Sequence, residues 1–213
     1  VIRSISARLP RTLELVGVAS CLAVAVAIPM GVAAALRRGS TLDWLLTATA
    51  ATGISVPVYV VGSLLVLLFS IKLGLLPAGG YTELAEDPHR HLLQLILPSV
   101  TLAFNMAATI TRMTRSSLLE VLGQDYVRTA RAKGLPERRV IYRHALRTSL
   151  IAVVTVIGVQ VGSLIGGTVL VESIFNWPGL STLLTNSIAR RDYPMVQGII
   201  LVTATLMILI NLT

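Results

Sequence analysis

Few residues in this 213-residue chain could carry covalent or metal chemistry. His89 and His91 stand two apart near Asp87, a spacing that permits a surface metal site, although histidines solvated in a loop explain the pair more simply. The third histidine, His144, lies in a basic segment, and none falls within an apolar run, so an intramembrane protease would lack its base. The single Cys21 sits inside an apolar run and reads as packing; no disulfide or Cys-based zinc site can form within the chain. Lys72 and Lys133 are the only lysines, and neither ends a GxxxxGK[ST] stretch that would cradle phosphates. The chain is expected to be no enzyme.

The densest cluster of polar residues is 112–147, which holds nine of the eighteen basic side chains and the acids Glu120, Asp125 and Glu137. Helix connections usually run about 2–8 residues, so this segment is too long for a plain connector. Asp125 can cap a short helix over Tyr126–Lys133, and Gly134 suits the left-handed position that ends one. Pro136 can open a second helix with Glu137 in its first turn. Two short helices meeting at a glycine bend could dock another protein or lie on anionic lipid; the three acids count against pure lipid binding.

The elements around this segment must suit lipid. Hydrophobic residues make up 54% of the chain and charged ones 13%, with net charge +8, and mean hydropathy is +0.79. About 20 residues cross a hydrocarbon core, and five uncharged stretches reach that length: 15–36, 45–71, 92–111, 148–171 and 194–213. Backbone groups in lipid must pair within their segment, so the expected fold is an all-α polytopic transmembrane helix bundle. With 112–147 and 37–44 inside, those segments carry +7, whereas 1–14, 72–91 and 172–193 carry +1 outside, as the positive-inside rule favours.

Smaller features follow from this layout. The apolar spacing of residues 1–9 suits an interfacial helix, and Arg3, Arg8 and Arg11 would be explained by a further span upstream. Pro29, Pro57 and Pro98 fall inside spans and are expected to bend them. Gly158, Gly162 and Gly166 leave one bare face for close helix approach. Asn105, Thr109, Gln160, Ser163 and Asn211 are polar groups at membrane depth that either line a solute path or bond helix to helix. Leu180, Leu183, Leu184 and Ile188 have helical spacing in the outer loop, after Trp177.

The run Asp125-Tyr126-Val127-Arg128-Thr129-Ala130-Arg131-Ala132-Lys133-Gly134-Leu135, followed by Arg143-His144-Ala145-Leu146-Arg147, resembles the signature loop of ABC importer permeases, specifically the peptide/nickel branch. In the general pattern, Glu-Ala-Ala, three residues, Gly, nine residues, Ile-x-Leu-Pro, this chain matches literally only at Ala130, Gly134 and Leu146. Arg128 and His144 depart from it in the manner of the peptide branch. Further stretches share the resemblance: Arg8 to Glu14, Ser55-Val56-Pro57, Leu76 to Tyr81, Glu172 to Leu180, and Arg191 to Pro194.

The form of residues 144–147 is similar to the B-type partner of a B/C permease pair, and the family implies six spans in the intact subunit. By position, the resemblance makes Asp125, Tyr126, Arg128, Thr129, Ala130, Arg131, Ala132, Lys133, Gly134 and Glu137 the contact with an ATP-binding subunit. It also implies a C-type permease, two ATP-binding subunits carrying ATP and Mg, an external solute-binding protein and a bacterial inner-membrane location. No nucleic-acid partner and no cofactor in this chain are expected. An ion-coupled secondary transporter, or a scaffold using the basic loop to recruit a partner, stands as the alternative.

Overall fold

The computed structural model describes residues 1–212, and the end of the last expected span, Thr213, lies outside them. Helix α1 runs unbroken over Ile2–Leu36. At 1.5 Å per residue this is about 50 Å, well beyond a hydrocarbon core of about 30 Å. The first nine residues are thus continuous with the following span instead of forming a separate interfacial helix. Helix α2 spans Thr41–Ser55, and α3 spans Val58–Leu65 before widening into π-helical turns over Val66–Lys72.

Helix α4 covers Pro88–Leu122, and the short α5 covers Asp125–Ala132. Next come α6 (Glu137–Arg139), a π-helical stretch Val140–Ala145 and α7 (Leu146–Gly167). Helices α8 (Val169–Ile174), α9 (Leu180–Ala189) and α10 (Tyr193–Leu212) complete the order. Among the described residues, Ile2–Leu36, Pro88–Leu122, Glu137–Gly167 and Tyr193–Leu212 are each long and apolar enough to span, and Thr41–Lys72 makes a fifth only if taken across its break.

That break separates the three prolines. Pro29 and Pro98 remain inside continuous helices. Pro57 instead adopts φ −60° and ψ 140°, and α3 restarts after it. A proline crowds the residue before it out of the helical region, which ends α2 at Ser55. The stretch 45–71 is therefore two helices, where the sequence suggested one bent span.

The chain divides into two compact units, residues 1–22, 56–105 and 159–213, and residues 23–55 and 106–158. The first has a core of Leu15, Ala19, Leu95, Leu97, Leu102, Val171, Phe175 and Trp177, and a smaller cluster of Ile5, Leu180 and Ile199. It contains both loops assigned outward, 72–91 and 172–193. The second contains both assigned inward, 37–44 and 112–147, with Val32, Ala35, Leu118 and Ala145 as its core.

In the second unit α1 and α4 touch at Gly31: an added Cβ would lie 2.6 Å from Thr114 Cβ and 2.8 Å from the Thr111 carbonyl oxygen. The Thr111 hydroxyl donates to the Ala27 carbonyl at 3.4 Å. Gly31→Ala is expected to cost about 1–3 kcal/mol, the usual penalty of overpacking, because backbone cannot yield as a side chain would. A thermal midpoint in detergent that matches wild type would refute this. The expected glycine face on α7 is different: only Gly162 meets a neighbour, the Asn211 amide at 3.2 Å from its added Cβ, while Gly158 and Gly166 face open space.

Candidate coupling element and outer polar node

The basic loop folds as an elbow. Gln124, extended at φ −72° and ψ 150°, is the residue before α5. Its carbonyl accepts from the backbone N–H of Val127 at 3.1 Å and Arg128 at 3.3 Å. Asp125, expected to be the cap, is instead the first helical residue; its side chain is 98% exposed and meets only Arg128, at 3.7 Å. Its carboxylate still suits the positive end of the helix dipole.

The far end closes as the sequence suggests. Gly134 has φ +76°, its N–H donates to the Arg131 carbonyl at 2.9 Å, and the Leu135 N–H donates to the Ala130 carbonyl at 3.4 Å. This pair of bonds, with Leu135 packing back on Ala130, is a Schellman cap that uses a left-handed residue. Pro136 is extended, and Glu137 begins α6. Arg131 grips Glu137 across the elbow, with Nη2 to Oε1 at 2.8 Å and Nε to Oε2 at 3.1 Å.

Burial divides the residues of the loop by role. Val127, Ala130 and Val140 are buried against Val121, Leu122 and Leu135 and pin the elbow down. Asp125, Tyr126, Arg128, Thr129, Arg131, Ala132, Lys133, Gly134 and Glu137 are exposed. Ala130, placed by resemblance among contact residues, is only 9% exposed and belongs with the anchors.

The membrane-depth polar residues are less concentrated. Asn105 and Thr109 stand one turn apart on α4, both half-buried. Gln160 is half-buried on α7, while Ser163 is exposed and returns its hydroxyl to the Gln160 carbonyl at 2.9 Å. Asn211 donates to the Met207 carbonyl at 2.9 Å, within its own helix.

From the sequence, Glu172 matches a glutamate of the family and is expected to hold the outer loop, with no partners identified; a second arrangement was passed over altogether. In the first unit Glu172 is fully buried. Its Oε1 accepts from the Thr12 hydroxyl at 3.0 Å and the Thr168 hydroxyl at 3.1 Å. Its Oε2 accepts from the Thr182 N–H at 2.8 Å and the Thr182 hydroxyl at 3.1 Å. Thr12 in turn accepts from the Leu180 N–H at 2.8 Å, and Thr168 shares a bond with Ser181 at 2.8 Å. One carboxylate thus ties α1, α8 and α9 together. Burial holds its carboxyl above the ordinary range, and the Thr182 backbone donor and three hydroxyls offset part of that. A Cβ on Gly179 would fall on this carboxylate, so the glycine is required by a close approach.

His91 belongs to the same unit and is only 1% exposed, which corrects the reading of a solvated loop histidine. Its Nδ1 lies 2.7 Å from the Thr82 carbonyl, which can only accept, so this nitrogen donates. Nε2 lies 2.7 Å from Glu14 Oε1, with a proton between them. Tyr81 stands edge-on to Trp177, ring centres 4.9 Å apart. The Arg11 guanidinium lies 4.6 Å from the centre of the Tyr81 ring, and the Trp177 indole N–H donates to the Arg11 carbonyl at 3.0 Å. No group of three metal-ligating side chains occurs among the described residues. The signal available in the sequence was an isolated acid, Glu172, just past an apolar run, with Thr12 and Glu14 in the quoted stretch 8–14.

The overlooked arrangement is in the other unit. Asp43, counted as a loop residue, is 5% exposed. Arg115 grips it with Nε to Oδ1 at 2.6 Å and Nη2 to Oδ2 at 2.8 Å. The Gly39 N–H and Thr47 hydroxyl complete its shell at 2.9 and 3.3 Å.

With this geometry in hand, residues 27–213 match the family described as binding-protein-dependent transport system inner membrane component. The chain belongs to that family. This permease is 45% identical to the dipeptide transport system permease protein DppB of Escherichia coli K12, over 96% of its own length and 67% of the relative's. It is 43% identical to the oligopeptide transport system permease protein AppB of Bacillus subtilis 168, over 98% of its length and 66% of the relative's. It thus spans about two thirds of the length of these curated relatives.

Among solved structures, an inward-facing MetNI methionine ABC transporter superposes with a TM-score of 0.77 at 17% identity, covering 99% of this chain and 93% of that one. An amino acid ABC transporter with histidines gives 0.71 at 15%, covering 99% and 90%. Both show the fold alone. The permease is a membrane-embedded importer subunit, and ATP hydrolysis belongs to separate subunits of such systems.

Proposed function

We propose that this permease is the B-type subunit of a peptide importer in the bacterial inner membrane. It pairs with a C-type permease, two ATP-binding subunits that carry ATP and Mg, and an external solute-binding protein. The observation that carries the reading is the elbow 125–137: a rigid, apolar-anchored display of charged side chains on the expected cytoplasmic side. Its left-handed glycine stands where the importer signature has one. The solute class rests on relatives named for dipeptides and oligopeptides. Asn105, Thr109, Gln160 and Ser163 are proposed to line the solute path.

Reconstituted with its companion subunits, the permease is expected to take up labelled dipeptide or oligopeptide only with ATP outside-in coupling intact, that is, with binding protein and hydrolysable ATP both present. Alone, it is expected to show no ATP turnover, since no phosphate-cradling loop exists in the sequence. Turnover by the isolated chain, or uptake driven by an ion gradient without ATP, would defeat the reading.

Orientation has its own test. The charge asymmetry of +7 against +1 puts residue 131 inside. A Cys21→Ala/Arg131→Cys variant is therefore expected to resist a membrane-impermeant thiol reagent in intact cells and to label after permeabilisation. Strong labelling from outside would invert the topology.

A further inference from the structure

Where the chain passes from the basic loop into α7, Tyr142, Arg143, Leu146, Arg147 and Leu150 line an open groove. Leu146 and Leu150 stand one turn apart on α7 and so share a face, and Arg143, from the π-helical stretch, and Arg147 line the groove beside them. Both arginines are exposed and the two leucines are half-buried. Tyr142 is 52% exposed. Among the described residues neither arginine has an acidic partner, a state they share with most arginines of the chain, since ion pairs form only at Arg11, Arg115, Arg128 and Arg131.

We propose that this groove binds one anionic phospholipid, its phosphate bridging Arg143 and Arg147 and an acyl chain lying along Leu146 and Leu150. Four features of the site converge. Guanidinium forks match phosphate oxygens in a planar, two-point manner that suits recognition over simple attraction. The site stands at the step from a segment with nine basic residues into an apolar spanning helix, which is headgroup depth. Tyrosine is favoured at that depth, with its ring in the apolar layer and its hydroxyl in the wet one. The leucine row also decides between occupants: an acidic protein surface or a free anion would satisfy the arginines but leave Leu150 facing nothing apolar.

Each arginine near an anionic surface is worth about fivefold in affinity, and the pair roughly thirtyfold. The test uses the assembled transporter, delipidated in detergent and titrated with phosphatidylglycerol or phosphatidylcholine, with bound lipid counted by native mass spectrometry. Wild type is expected to retain phosphatidylglycerol at least tenfold better than phosphatidylcholine. Arg147→Gln should bind it about fivefold more weakly and Arg143→Gln/Arg147→Gln about thirtyfold more weakly, while Arg143→Lys/Arg147→Lys, which keeps the charge but not the fork, should fall between wild type and the double glutamine variant. Three outcomes would overturn the proposal: unchanged phosphatidylglycerol retention in Arg147→Gln, displacement of the lipid by millimolar inorganic phosphate, or loss of another subunit from the double glutamine variant with lipid count unchanged. The last would assign the groove to a protein.

Discussion

Replacing Glu172 with alanine is expected to destabilise the permease by roughly 3 kcal/mol or more. Two of its four donors have a second acceptor nearby: the Thr182 hydroxyl can turn to the Trp177 carbonyl at 3.0 Å, and Thr168 to Ser181 at 2.8 Å. The Thr182 N–H and the Thr12 hydroxyl would lose the carboxylate that accepts from them, and each buried unsatisfied donor costs about 1–3 kcal/mol. A cavity adds to that loss. Glu172→Gln keeps the volume and one acceptor oxygen, so it should fall between wild type and alanine. Thermal unfolding of the assembled transporter would read both, and an alanine variant as stable as wild type would remove Glu172 from this role.

The same group predicts a direction with pH. Burial raises the Glu172 carboxyl above its ordinary value of 4.5, so the neutral acid is the form the fold tolerates better. Its favourable contribution is complete below that ordinary value and is lost as pH rises through the raised one. Wild type should therefore lose midpoint on going from mildly acid to neutral pH by a component absent in Glu172→Gln. Parallel pH profiles for the two proteins would contradict this.

Gly134→Val is expected to abolish most ATP-driven uptake while leaving membrane insertion intact. A Cβ there meets nothing within 4 Å. The penalty is therefore conformational: a left-handed backbone costs a residue with a Cβ about 1–2 kcal/mol, and β-branching places valine at the upper end. The Schellman bonds that fix the angle between α5 and α6 would give way first. Arg131→Ala removes the exposed grip on Glu137, a contact worth under about 1 kcal/mol, and leaves the bend. Its uptake should fall far less. Co-purification of ATP-binding subunits together with uptake assays would separate the two, and full uptake in Gly134→Val would end the case for this elbow as the coupling element.

What could be read from the residues and what could not has a physical pattern. Periodicity and charge located the apolar helices and the elbow because those signals are local: a run without charges, a glycine after a short polar helix. Gly134 was legible for that reason. The capping role was misplaced by one residue because the Gln124 backbone carbonyl closes the first turn of α5, leaving the Asp125 side chain idle. Pro57 and Pro98 look alike in sequence, yet one ends its helix and the other sits inside an unbroken one, a difference that the local sequence does not carry. Burial of His91, Asp43 and Glu172 depends on partners 77, 72 and 160 residues away, which no local pattern encodes.

In the elbow, Val127, Ala130 and Val140 hold the loop to the body, while none of the displayed side chains from Asp125 to Glu137 contributes to that hold. Inheritance can therefore act on the two sets separately. Charges at 125, 128, 131 and 133 can be exchanged, reversed or drawn from a related transporter without unseating the helix that carries them. On the coupling role proposed above, duplicated importers in one genome could diverge in which motor they accept by rewriting these surface letters. An engineer seeking mutually blind transporter pairs has the same letters to work with.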